Sequence, residues 1–149
     1  MIVLDTNVLS ELMRSAPDVS VTNWVATQSA ANLFVTTITQ AEILHGVLLL
    51  PRGRRRDAIE AAAEAMFEED FAGRLLPFNS LAAHAYAEIA VARRQSGRPI
   101  SQFDAQIAAI AKSAGADVAT RNVPDFEGCG IEVIDPWPGG GARSAVRST

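Results

Sequence analysis

Residues 1–11 read Met-Ile-Val-Leu-Asp-Thr-Asn-Val-Leu-Ser-Glu, and a change of period inside this stretch decides the fold. Ile2, Val3 and Leu4 are a short apolar run with β-branched members, the pattern of a buried strand. Beyond Asp5 the apolar positions fall at Val8, Leu9, Leu12 and Met13, which is helical spacing, with Thr6 or Asn7 available as the cap. A strand that passes at once into a helix, with an acid at the junction, opens an α/β sheet.

The alternation continues along the chain. Pro17-Asp18 restarts it into a helix holding Val21, Trp24 and Val25, and Leu33-Phe34-Val35 reads as a second strand. Thr39 is placed to cap a helix through Ile43, Val47 and Leu50, which Pro51 stops. A long helix is expected from Arg54 to Asp70, then a brief strand at Leu75-Leu76. Ser80 to Arg94 and Ser101 to Ala114 have helical spacing, the second closed by Gly115. Asp117 to Thr120 and Ile131 to Ile134 are the last strands. The pattern predicts an α/β fold in three layers, a short, mainly parallel sheet flanked by helices, over residues 1–137. From Pro138 the chain turns to Gly, Ser, Arg and Thr, so 138–149 is expected to be a disordered tail.

A chain of 149 residues, 48% hydrophobic and 20% charged, suits a single domain with one continuous core. One cysteine, Cys129, excludes an internal disulfide, and no Cys/His cluster suggests structural zinc. The first residues lack a basic stretch, and no run of about 18 apolar residues occurs, so neither an export signal nor a membrane span is expected. The expected compartment is the cytoplasm. A net charge of −4 argues against a general nucleic-acid coat protein. Arginines nonetheless gather at Arg52, Arg54, Arg55 and Arg56 and at Arg93, Arg94 and Arg98. They are either solvated helix ends or a local phosphate-binding patch.

Three acids stand in apolar surroundings. Asp5 ends the first strand, where ligands of open parallel sheets gather; its plainer role would be a helix cap. Asp104 is in phase with Ile107, Ala108 and Ala111, at the top of a buried stripe. Glu42 lies among Ile38, Ala41, Ile43, Leu44 and Val47. An unpaired buried carboxylate costs several kcal/mol, so each needs a cation or a proton. An arginine would serve Glu42; a hard divalent cation in a shared acidic pocket would serve all three. Asp125 and Glu127 follow the fourth strand in a Pro-containing loop and read as surface. Neither a Gly-Lys-Ser/Thr loop nor Gly-x-Gly-x-x-Gly is present, which disfavours nucleotide-dependent enzymes. His45 and His84 lack metal-ligand spacing, and Cys129 has no nearby base. Metal-dependent phosphate chemistry is the leading reading.

These segments resemble the PIN-domain ribonucleases, and among them the VapC-type toxins of bacterial toxin–antitoxin pairs, near the FitB-like, plasmid-stability branch. The likeness lies in residues 1–11, in Ile-Thr-Gln-Ala-Glu-Ile-Leu-His-Gly-Val, Arg-Leu-Leu-Pro-Phe and Phe-Asp-Ala-Gln-Ile-Ala-Ala-Ile-Ala, in Ala-Thr-Arg-Asn-Val-Pro-Asp-Phe, and in Ile-Asp-Pro-Trp. It covers about residues 1–137. The resemblance implies a PIN-like sandwich and assigns metal binding and catalysis to Asp5, Glu42 and Asp104. It implies Mg²⁺, with Mn²⁺ as a substitute, and an RNA substrate. Thr6, Thr120 and Arg121 would position ligands or phosphate. Family members often carry a fourth acid just after Thr-Arg, where this chain has Asn122; Asp125 is the nearest acid that could compensate.

The resemblance also implies a homodimer and a cognate antitoxin, a small DNA-binding protein whose amphipathic segment would lie on the helical arm around Pro51. Val47-Leu48-Leu49-Leu50 is a longer apolar run than one helix face buries, either for core packing or for such a partner. Two other readings use the same residues: a PIN-like binding module with impaired catalysis, which Asn122 favours, and a DNA nuclease or phosphatase using the same acids.

Overall fold

The computed structural model describes residues 1–139 and 144–145. Five parallel strands build the sheet: β1 (Ile2–Leu4), β2 (Leu33–Thr36), β3 (Leu75–Leu76), β4 (Asp117–Ala119) and β5 (Glu132–Ile134). Their order is β3-β2-β1-β4-β5, and β6 (Ser144–Ala145) adds an antiparallel edge beside β5. The expected disordered tail otherwise falls largely on residues 140–143 and 146–149, outside the described residues.

Alternation along the strands feeds two cores. Ile2 and Leu4 face one side, where α1 (Thr6–Leu12), α2 (Val19–Ala26), α3 (Thr37–Leu48) and α4 (Arg54–Ala65) pack. Val3 and Val118 face the other, covered by α5 (Ser80–Gln95), α6 (Gln102–Ser113) and the short α7 (Val123–Phe126). These are the three layers expected from the sequence.

Several local expectations change. Asp5, not Thr6 or Asn7, is the N-cap of α1, because its carboxylate accepts the Thr6 N–H. Thr36 rather than Thr39 caps α3: its hydroxyl takes the Thr39 N–H at 3.1 Å, which leaves Thr39 buried inside the first turn. The helix expected from Arg54 to Asp70 is α-helical only to Ala65 and finishes in a π turn, Met66–Asp70. The Pro-containing stretch after β4 is a helical turn, since Pro124 sits in the first turn of α7 where no N–H is needed. Gly115 does close α6, at φ 68.

Strand order reverses between β1 and its neighbours. The chain runs from β1 out to β2 and β3, then returns to place β4 on the other flank of β1. The carboxyl ends of β1 and β4, in register at Leu4 and Ala119, therefore open together at the switch point. The next residues, Asp5 and Thr120, are the floor of the site.

Candidate active site

A cleft of about 570 Å³ lies above this switch point, and Asp5, Glu42 and Asp104 all line it. They come from three elements: the β1–α1 junction, the middle of α3 and the first turn of α6. Asp5 is buried, 4% exposed, and fixed from three directions. It accepts the Thr6 N–H at 2.8 Å, the Thr120 hydroxyl at 2.8 Å and the Asn7 amide at 3.2 Å. Burial pushes its carboxyl from 3.8 to about 6. The Thr120 and Thr6 hydrogen bonds oppose the rise, and the nearby charges of Asp104 and Glu42 add to it. Three donors and no ion-paired cation among the described residues leave this group ionised at a cost.

Glu42 is half-buried, and its partner is a hydroxyl rather than an arginine. Thr6 donates to it at 2.8 Å and in turn lies 3.0 Å from the Thr39 hydroxyl. Asp104 is half-buried in the first turn of α6, whose cap Ser101 accepts the Asp104 N–H at 3.2 Å. Burial raises the Asp104 carboxyl; Ser101 opposes this, Asp125 adds to the rise and Arg93 lowers it. Among the described residues, the ion pairs of Arg14, Arg98 and Lys112 go to Glu11, Glu127 and Glu88, and none reaches the three acids.

Around the floor, Arg121 and Asn122 line the cleft. Thr120, fully buried, holds Asn122 in place: its hydroxyl accepts the Asn122 N–H at 3.0 Å. Asp125 does not line the cleft; it is exposed on α7, close enough to act on Asp104 through space. The Pro-Asp turn is thus near the site without belonging to its floor.

The Arg93 part of the second basic cluster needs correction. Arg93 is 6% exposed and spent on structure, donating to the carbonyls of Arg98, Pro124 and Glu127. It is neither a solvated helix end nor free for phosphate. Cys129 is buried, and burial pushes its thiol up, away from nucleophilic use.

Asn7 is a site residue that the sequence presented only as a possible cap. Its amide nitrogen also lies 3.1 Å from the Thr120 hydroxyl, and its oxygen accepts the Arg121 N–H at 3.2 Å. It ties the β1–α1 junction to the turn after β4. The clue was its place in the first helical turn, where side chains reach back toward the cap. Trp137 also reads as no site residue in the sequence: it stands 132 residues from Asp5 along the chain, and in space it lines the cleft.

The donor set is all oxygen and net negative, which suits a hard cation. Among the described residues, no three Asp, Glu, His or Cys side chains close into a finished cage. The acids instead face a roomy cleft, and Mg²⁺ is usually held by one or two carboxylates with several waters retained.

A doubly wound sheet with an acid-lined cleft at its switch point defines the class: an α/β domain whose acids gather at the strand ends. The chain belongs to the PIN-domain family, whose sequence profile matches residues 2–124. It is 42% identical over 137 residues to plasmid stability protein StbB of Pseudomonas syringae, covering 92% of this chain and 99% of that protein. It is 40% identical over 137 residues to VapC ribonuclease Y4jK of Sinorhizobium fredii (92% and 98%), and 36% identical over 137 residues to toxin FitB of Neisseria gonorrhoeae (92% and 99%). Among solved structures, FitAB bound to an IR36 DNA fragment superposes with a TM-score of 0.87 at 36% identity, over 92% of this chain and 96% of that one.

Proposed function

We propose that this chain is the toxin of a toxin–antitoxin pair and a Mg²⁺-dependent endoribonuclease acting in the cytoplasm. The observation that carries the reading is the trio Asp5, Glu42 and Asp104, which faces one cleft with no described cation paired to it. PIN-domain nucleases generally use divalent metal ions, and the relative named a VapC ribonuclease supports RNA as substrate.

Asp5 and Asp104 would hold Mg²⁺, or Mn²⁺ in its place, with Glu42 as a further ligand or holder of its water. When bound, such an ion lowers the pKa of water and offsets charge on the scissile phosphate. The protein's own part is positioning. Asp5 is locked by Thr6, Asn7 and Thr120, and Glu42 is aimed by Thr6. Arg121 meets a phosphodiester of the bound strand, and Asn122 offers a carboxamide oxygen without charge. Asp125 stays outside, tuning Asp104. In the test, purified protein is mixed with RNA and Mg²⁺, and fragments are mapped by their 5′ ends. Asp104→Asn should cut on the order of a thousandfold more slowly while melting close to wild type. Undiminished cleavage by that variant would remove the assignment. A binding module with impaired catalysis, favoured by the uncharged Asn122, predicts RNA retained but uncut by wild type.

The partner reading draws on surface left over after packing. Val47 is buried, but Leu48 and Leu49 are 51% and 72% exposed. Beside them a groove of about 320 Å³ lined by Met13, Ile43, Gly46, Val47 and Leu50 runs to Thr6, Ser10 and Glu42. An amphipathic segment of a DNA-binding antitoxin would lie there and reach the acids. The likeness to FitAB, solved on DNA, supports this. Leu49→Asp should weaken capture of the antitoxin about tenfold in a titrated pull-down, since an exposed interface leucine contributes roughly 1–2 kcal/mol. On the other side of α3, Ile38, Ala41, His45 and the 55% exposed Phe103, with Glu42 shared with the cleft, line a cavity of about 420 Å³, the face proposed for a homodimer.

A further inference from the structure

The cleft has cations as well as acids, and among the described residues no ion pair joins an arginine to Asp5, Glu42 or Asp104. Arg14, just past the end of α1, and Arg121, just past β4, both line the cleft. At short range, guanidinium and carboxylate attract by several kcal/mol near a protein surface, roughly 4 at 4 Å. Arginines beside uncompensated acids would therefore be drawn down onto them.

Each arginine has another partner. Arg14 lies 3.3 Å from Glu11, and Glu11 is itself buried and anchored by the Asp18 N–H at 3.1 Å. The Arg121 guanidinium lies over the Trp137 ring, 5.2 Å from its centroid, while its backbone N–H is fixed by Asn7. Trp137 is 8% exposed and packed in the core, so it is a firm support. Charge is sorted as a result: Asp5, Glu42 and Asp104 have no described cation, while Arg14 and Arg121 are held by Glu11 and Trp137. A stacked guanidinium keeps its N–H edge free, and that edge fits phosphate oxygens.

We propose that Arg14 and Arg121 form a two-point rim gripping backbone phosphates of single-stranded RNA next to the one over the acids, with Glu11 and Trp137 as positioning residues. The inference rests on the ribonuclease reading and adds how that site holds its strand.

The test is fluorescence anisotropy of the full-length chain with a labelled single-stranded RNA, in Ca²⁺ so that binding is read with little turnover, over a range of KCl concentrations. Arg14→Gln and Arg121→Gln should each weaken binding about three- to tenfold and reduce the log Kd against log salt slope by about 0.7, one phosphate's share for a single strand. Arg121→Lys keeps the charge but loses the planar stack, so affinity should fall while the slope holds. Unchanged slopes in both Gln variants would overturn the rim, and wild-type affinity in Arg121→Lys would overturn the role of Trp137. Wild type that neither binds nor cuts RNA would defeat the ribonuclease reading itself, and the rim with it.

Discussion

Asp5→Asn is expected to make the metal-free protein more stable at pH 7 while abolishing RNA cleavage. The two effects share one cause. The carboxylate is 4% exposed, has no described cationic partner and is lifted from 3.8 to about 6. Its charge therefore costs the fold roughly 3 kcal/mol at neutral pH, at about 1.4 kcal/mol per tenfold change in proton affinity. Asparagine removes the charge and remains a good N-cap for α1. Its NH₂ would meet the Asn7 amide, so part of the gain is lost. The net effect should be roughly 1–2 kcal/mol, or about 3–6 °C in Tm for a domain of this size. Cleavage should drop on the order of a thousandfold, the scale for removing one preorganised electrostatic group.

The pH dependence identifies the cause. The folded state holds the Asp5 proton more tightly than the unfolded chain, so stability falls as pH rises from about 4 through 6. Metal-free wild type and Asp5→Asn should melt together, apart from the altered hydrogen bonds, below pH 4. A gap should open between pH 4 and 6 and stay constant above. Divalent ion should then close and reverse it by stabilising wild type alone, by about 2.7 kcal/mol at a hundred times Kd. A variant that is less stable at every pH would show that Asp5 is held for structure and that its charge is already compensated.

That tension between stability and chemistry is also what made the site legible in the sequence. Asp5, Glu42 and Asp104 stand out because each breaks an apolar pattern, and the fold brings all three to one cleft. The central strands and the main helices follow from the apolar pattern: Ile2 to Leu4 and Leu33 to Val35 carry no polar residue to confuse them. What period does not encode is which hydroxyl or amide turns inward. Thr36 and Thr39 are both plausible caps, and only the end of β2 at Thr36 decides between them. Asn7 reads as one polar residue in a helical first turn, and its link to Thr120 and Arg121 depends on β4 lying beside β1. Arg93 has the look of a surface arginine in a basic cluster. It is buried because its guanidinium ties the Arg98 carbonyl to those of Pro124 and Glu127, a link that only the packing of α5 against α7 reveals.

Asn122→Asp is expected to tighten divalent-ion binding by one to two orders of magnitude, about 1.4–2.8 kcal/mol, and to add a second binding event. Asn122 lines the cleft opposite a cluster of acids, yet brings no charge. Its backbone N–H is pinned to the Thr120 hydroxyl, and as the residue preceding α7 it makes no side-chain capping bond. A carboxylate there would need no change of backbone. Its charge would also raise the Asp104 and Asp5 carboxyls further, so the metal-free variant should be less stable than wild type. Asp125 is the competing source of a fourth charge, since it already acts on Asp104. It is exposed and lies outside the cleft, where solvent screens it, so Asp125→Asn should leave Mn²⁺ affinity within about twofold. Calorimetric titration of both variants with Mn²⁺ separates the two residues. Were Asp125→Asn to lose the ion while Asn122→Asp gained nothing, the fourth ligand would belong to α7 rather than to the turn after β4, and the site would extend beyond its present floor.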